Sequence, residues 1–270
     1  MKDVLVTGGS GFIGRNIKES YLNAKYNIMY PTHNELDLLD AHAVAMFFLE
    51  HNIDVVFHTA VSYSGIQNIL MYLNIRNNIP SHCKLINFSS GAIYDKARSI
   101  EFIDESEVWL RQPTDEYGLS KKVCFELQPR DNVIDLVLFG VFGKYELSSR
   151  LIPSIIKAYA SHKFVTLRGI QRMSYIYVYD LIRILDVMLN EWPSLPIMNV
   201  TSDSFYLSDV CKIVANVMGV GSKYICRKEK LNDYTADSGV LRMTYPNFKF
   251  TPIEQAIKEL IPYYMEVANA

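Results

Sequence analysis

Tyr117 and Lys121 stand four residues apart in the phrase EYGLSKK, a spacing that puts both side chains on one face of a helix. A phenol is a poor acid–base group at neutral pH unless a neighbouring cation favours its ionised form, and a lysine one turn away supplies that cation. Such a pair can pass a proton to or from an oxygen held beside it. Tyr and Lys also meet this spacing by chance on exposed helices, so the surrounding constellation has to decide between chemistry and surface. Upstream, the apolar run Lys84 to Phe88 reads as a strand that ends in Ser89-Ser90-Gly91-Ala92. A serine hydroxyl at that point would hold the oxygen that Tyr117 protonates.

The element that would bring a reaction partner to these groups opens the chain. Val4, Leu5 and Val6 form a short strand-like run that breaks into Gly8, Gly9, Gly11 and Gly14, with a helix-like segment from Phe12 to Leu22. Glycine permits a sharp strand-to-helix turn and lets a diphosphate approach backbone N–H groups without a Cβ in the way. A dinucleotide is the implied ligand; the alternative is a glycine-rich turn that binds nothing. With a nicotinamide bound, Tyr117 would move the proton while hydride is exchanged with the cofactor.

A second strand, Asn27 to Tyr30, ends at Pro31-Thr32-His33 with no acidic residue at its tip. An Asp or Glu there would bond the adenosine ribose hydroxyls and repel a 2′-phosphate. NADP is therefore expected ahead of NAD. Arg15, Thr32 and His33 are the candidates to hold the phosphate; the alternative for Arg15 is a solvated cation on the helix surface.

The bulk numbers narrow the class. The chain of 270 residues has room for one large α/β unit or two closely joined lobes, and 27 Lys+Arg against 29 Asp+Glu give no global electrostatic case for nucleic acid or an anionic membrane. Cys83, Cys124, Cys211 and Cys226 are scattered, with no zinc spacing, so reduced structural thiols and no metal are expected. The first residues read as a strand rather than a secretory leader, and no apolar run approaches a membrane span. A cytoplasmic protein is the expectation.

TGGSGFIG, followed in order by a strand ending in Ser-Ser and by Y-x-x-x-K, resembles the opening and the active-site phrases of the extended short-chain dehydrogenase/reductase family. The resemblance covers most of the chain. It implies a Rossmann-type doubly wound parallel sheet, residues 1–145 completed by 174–200, with a smaller C-terminal α/β substrate-binding lobe formed by 146–173 and 201–270. It places Gly8, Ser10, Gly11, Phe12, Ile13, Gly14 and Arg15 around the cofactor. Asp37 and Leu38 of ELDLLD would contact the adenine, and Asp40 also reads as an N-cap for the run Val44, Phe47, Phe48. Thr59 and Ala60, in the turn after His58, would lie beneath the cofactor. Ser90, Tyr117 and Lys121 become the catalytic residues, with Ser89 as the alternative serine and with Tyr117 and Lys121 also touching the cofactor.

The resemblance also narrows the reaction. Within the family, 4,6-dehydratases carry Asp-Glu directly after the catalytic Ser or Thr, where this chain has Gly91 and Ala92. The whole phrase pattern is most similar to the GDP-fucose synthase-like reductases of nucleotide-activated 4-keto-6-deoxy sugars. That group epimerises at C3 and C5 with a Cys and a His, whose positions hold Ala92 and Arg150 here. A 4-keto reductase without epimerisation is what remains, with NADPH as reductant and a nucleotide sugar as substrate. Substrate contacts would come from Ser90, Gly91, Ala92, Tyr117 and Arg150. Arg168 or Arg172 would replace the diphosphate-binding arginine, where Met173 now stands. The same residues would serve a 4-epimerase that keeps NAD bound, and a non-catalytic dinucleotide-binding regulator is the third reading. The resemblance implies a homodimer, through a helix whose first turns are trimmed after Val61.

Overall fold

The computed structural model describes residues 1–128 and 131–269. Its centre is a sheet of six parallel strands, in spatial order Asn27–Met29, Asp3–Thr7, Val55–His58, Lys84–Ser90, Val133–Leu138 and Ile197–Val200. Alternate residues along each strand point to opposite faces, so a parallel sheet buried on both sides reads as continuous apolar runs. Val4, Val6, Val55 and Phe57 face one core with Ile17 and Leu181. Leu5, Val56 and Leu85 face the other with Val44, Tyr72 and Ile75. Helices therefore cover both faces, as the doubly wound reading requires.

Local signals set several of these helices. The Asp40 carboxylate accepts from His42 N and Ala43 N and starts Ala41–Glu50. Ser64 caps Gly65–Asn78, and Asp115 caps Glu116–Glu126 by accepting from Gly118 N at 3.1 Å. Gly219 closes Leu207–Met218 at φ +67°, where glycine carries no Cβ penalty. The helix expected from Phe12 to Leu22 divides in two, Phe12–Lys18 and Leu22–Lys25, because Ser20 turns its hydroxyl onto the Ile17 carbonyl.

A second sheet lies apart from the first. Asp203–Tyr206, Arg172–Tyr177, Tyr234–Ala236 and Ile100–Ile103 lie side by side, and Gly140–Phe142 pairs with Arg172–Tyr177. Ile100–Ile103 comes from a stretch that sequence alone leaves irregular, and it enters this sheet through Tyr234 and Ala236. In sequence, Tyr175, Tyr177 and Tyr179 alternate with Ile176 and Val178 as a strand would, but the strand ends at Tyr177 and Val178–Asn190 is a helix. Val178, Leu181, Ile182 and Leu185 repeat at helical spacing and are buried, which overrides the shorter alternating pattern. One apolar core runs through the molecule, in which Ile155, Ile156 and Tyr175 continue the cluster of Val4 and Phe57. Among the described residues, no helix is long and apolar enough to cross a membrane.

Candidate active site

The glycine turn forms as the sequence suggests. Gly8 sits at φ +72°, and a Cβ there would stand 2.7 Å from the backbone of Ala60, so only glycine lets the two turns close on each other. Thr59 locks this contact by donating its hydroxyl to the Thr7 carbonyl at 2.6 Å. Gly14 is buried against the carbonyl of Gly8, and Gly11 is the N-cap of the first helix. Phe12 and Ile13 are partly buried against the core beneath the turn.

A cavity of about 420 Å³ opens in front of it, lined by Gly8, Ser10 and Ala60 on one side and by Thr32, His33, Asp37 and Leu38 on the other. A cavity of this size, lined by the glycine turn together with Leu36, Leu38 and Met71, suits the adenosine diphosphate half of a dinucleotide. Arg15 does not line it. Its guanidinium lies 3.6 Å from the centroid of the Tyr145 ring, and Tyr145 is held in turn by Glu19. Lys18, one turn further along the helix, lines the cavity instead, with Nζ 5.7 Å from the Tyr30 ring centroid. The spacing of Arg15 and Lys18 was the available signal, since residues three apart share a helix face. Thr32 already gives its hydroxyl and amide to Glu35 at 2.8 and 2.7 Å.

The three residues expected to be catalytic lie on two elements, Ser90 at the end of the strand Lys84–Ser90 and Tyr117 with Lys121 on the helix Glu116–Glu126. Lys121 is only 6% exposed, and its ammonium donates to the Phe88 carbonyl at 2.8 Å while standing 5.7 Å from the Tyr117 ring centroid. A buried charge needs such a partner. Tyr117 is partly buried, and Lys96, which sequence reading did not single out, lies 5.9 Å from the same ring and 3.2 Å from Asp115. Ser90 is partly exposed at the strand end; its neighbour Ser89 is 3% exposed with a buried, unpaired hydroxyl. Of the two serines, Ser90 is the accessible one.

Behind Lys121 the sheet carries an unusual polar layer. Burial, and secondarily the charge of Lys121, pushes the His58 imidazole down to about 3, so it stays neutral and shares a 2.8 Å hydrogen bond with the Thr7 hydroxyl. Burial pushes the Asp135 carboxyl up to about 7, against the hydrogen bond from Asn87 and the charge of Lys121. Gln128 donates to its other oxygen at 2.6 Å.

Tyr234 is the residue that sequence reading missed altogether. Its phenol oxygen is 3.3 Å from Ser90 Oγ, and Tyr117 and Arg150 both act on it electrostatically. No motif surrounds it in LNDYTADS, so nothing in the sequence marked it.

A second cavity, about 350 Å³, is lined by Arg150, Arg168, Gln171, Met173 and Tyr175 among others. Arg150 Nε donates to Glu146 at 3.2 Å, and burial pushes the Glu146 carboxyl up to about 7. Arg172 is elsewhere: its guanidinium stacks 4.6 Å from the Phe102 ring centroid and 5.7 Å from that of Tyr206. Of the two arginines considered for a diphosphate, only Arg168 faces this space. Gly91 and Ala92 form the turn after Ser90, with Gly91 against Phe139 and the Ala92 carbonyl against Gly118.

A doubly wound sheet, a glycine turn beside a cavity, and Ser90 with a Tyr–Lys pair together define an NAD(P)-binding oxidoreductase of the extended short-chain dehydrogenase/reductase class. The chain belongs to the NAD dependent epimerase/dehydratase family, whose pattern matches residues 4–200. It is 26% identical to a GDP-L-fucose synthase of Dictyostelium discoideum, over 98% of this chain and 96% of that one. A GDP-L-colitose synthase of Yersinia pseudotuberculosis is 24% identical over 84% of this chain and 85% of its own. Among solved structures, the GDP-mannoheptose C4 reductase of Campylobacter jejuni with NADP bound superposes with a TM-score of 0.81 at 19% identity, covering 98% of each chain.

Proposed function

We propose that this protein is an NADPH-dependent reductase of the C4 keto group of a nucleotide-activated 4-keto-6-deoxy sugar, acting without epimerisation at C3 or C5. The observation that carries the reading is the pairing of an intact Ser90, Tyr117 and Lys121 set with positions 91, 92 and 150 that hold Gly, Ala and Arg. Gly91 and Ala92 have no proton to give, so the acid that a dehydration would need beside the serine is missing. A guanidinium stays charged and cannot serve as a base, so Arg150 fits a binding role toward the sugar diphosphate or a ring oxygen.

NADPH, when bound, supplies the hydride that reaches C4. The residues of the chain do the rest. Ser90 hydrogen-bonds the C4 carbonyl oxygen and fixes it beside Tyr117. Tyr117 gives its phenolic proton to that oxygen as the alkoxide forms, and Lys121 stabilises the phenolate left behind. The cavity beside Gly8 and Ala60 would take the cofactor, and Lys18 and His33, which line it, would read a 2′-phosphate; Arg168 and Arg150 would hold the substrate diphosphate. The similar proteins, GDP-sugar synthases and a C4 reductase with NADP bound, favour the same reading.

The test is NADPH oxidation followed by absorbance against GDP-, CDP- and dTDP-4-keto-6-deoxy sugars, comparing the native protein with Tyr117→Phe. Turnover that depends on Tyr117 supports the reductase. Silence across the panel, in protein that carries tightly bound NAD and interconverts nucleotide-sugar epimers, would replace it with the 4-epimerase.

A further inference from the structure

We infer that Tyr234 is a positioning residue that sets the direction of the Ser90 hydrogen, an inference that rests on the reductase reading of the site. A serine hydroxyl has one hydrogen to give and two lone pairs to fill. Ala92 N donates to Ser90 Oγ at 3.3 Å, and the Tyr234 phenol lies 3.3 Å from the same oxygen. When the phenol donates, both lone pairs are occupied, and the only free valence of Ser90 is its own hydrogen. That hydrogen then points away from both partners, toward the substrate oxygen.

The geometry that allows this is specific. Tyr234 reaches the serine from the second sheet, whose register sets it beside Met173 and Ile100, while Ser90 ends a strand of the main sheet. Its ring is held at 4.8 Å from the Phe139 ring centroid. The turn at Gly91 leaves the path open, because a Cβ there would stand 2.7 Å from the phenol oxygen. Burial raises the Tyr234 phenol well above the usual tyrosine range, which keeps it protonated and able to donate. Tyr117 then moves the proton and Tyr234 does not, so the two phenols at the site have separate tasks.

The decisive variant is Tyr234→Phe, which keeps the ring against Phe139 and removes only the hydroxyl. In NADPH oxidation with the best 4-keto sugar, kcat should fall about tenfold, the scale of one neutral hydrogen bond, while KM stays within about twofold. In a Ser90→Ala background, Tyr234→Phe should cost less than about twofold more, because the effect passes through the serine. An equal loss in both backgrounds, or native kcat in the single variant, overturns the inference. Crystal structures of the native and Tyr234→Phe proteins decide the same point without substrate. The native serine should be bonded to the phenol and the variant serine should turn to another rotamer; one unchanged rotamer in both overturns it. Inactivity of the native protein on every 4-keto sugar would instead count against the reductase reading and leave the crystallographic comparison to judge Tyr234.

Discussion

The ammonium of Lys121 lies 2.8 Å from the carbonyl oxygen of Phe88, two residues before Ser90 on the same strand. This bond ties the helix that carries Tyr117 to the strand that carries Ser90, so the two residues proposed to hold the substrate oxygen are fixed to each other through the lysine. Lys121→Met keeps the stem and removes the charge. It should lower kcat/KM by about 10²-fold or more, the range expected when a positioned acid–base group loses its support. Steady-state kinetics check this; a variant within about threefold of native would separate Lys121 from the reaction.

Lys18 rather than Arg15 faces the cavity. Lys18→Gln should therefore raise KM for NADPH by roughly 10-fold to 100-fold, the scale of a charge-assisted hydrogen bond, and leave NADH use unchanged. Arg15→Ala, which removes a guanidinium stacked on Tyr145, should shift neither. Cofactor titrations by fluorescence or initial rates measure both, and a larger NADPH defect in the Arg15 variant would reverse the assignment.

How much of this was legible follows from distance along the chain. The glycine turn, the Asp40 cap and the Tyr117–Lys121 pair are local patterns, and the parallel strands are apolar runs that only burial on both faces explains. Tyr234 was not legible, because its position depends on sheet pairing with Ile100 and Met173, far away in sequence. Lys18 and Arg15 differ by one turn, and which of them reaches the cavity is decided by the stack of Arg15 on Tyr145. Tyr179 read as strand because alternation and helical spacing overlap over Tyr175 to Leu185, and the buried stripe from Val178 settles it.

His58 is buried and neutral, held at about 3 against an ordinary 6.5. The unfolded chain binds a proton there below pH 6.5 and the folded chain does not. Its contribution is thus intact above pH 6.5 and is lost progressively as pH falls toward 3. Denaturant midpoints should therefore drop more steeply between pH 6.5 and 4 in the native protein than in His58→Asn. Parallel curves would show that His58 takes up a proton without opposing the fold.

Gly8→Ala should destabilise by about 2 kcal/mol or more. The left-handed backbone costs an alanine roughly 1–2 kcal/mol, and its Cβ meets the Ala60 backbone as well. Thermal melts read the loss, and a change below about 0.5 kcal/mol would mean that the turn relaxes freely.

The most direct test of the central claim is where the hydride and the solvent protons go. NADPH deuterated at the transferable position, reacted in ordinary water with a 4-keto-6-deoxy nucleotide sugar that the enzyme accepts, should place deuterium at C4 of the product. The same reaction with unlabelled NADPH in D₂O should leave C3 and C5 free of deuterium, as read by NMR. A product without deuterium at C4, or with solvent deuterium at C3 or C5, would contradict a reductase that does not epimerise.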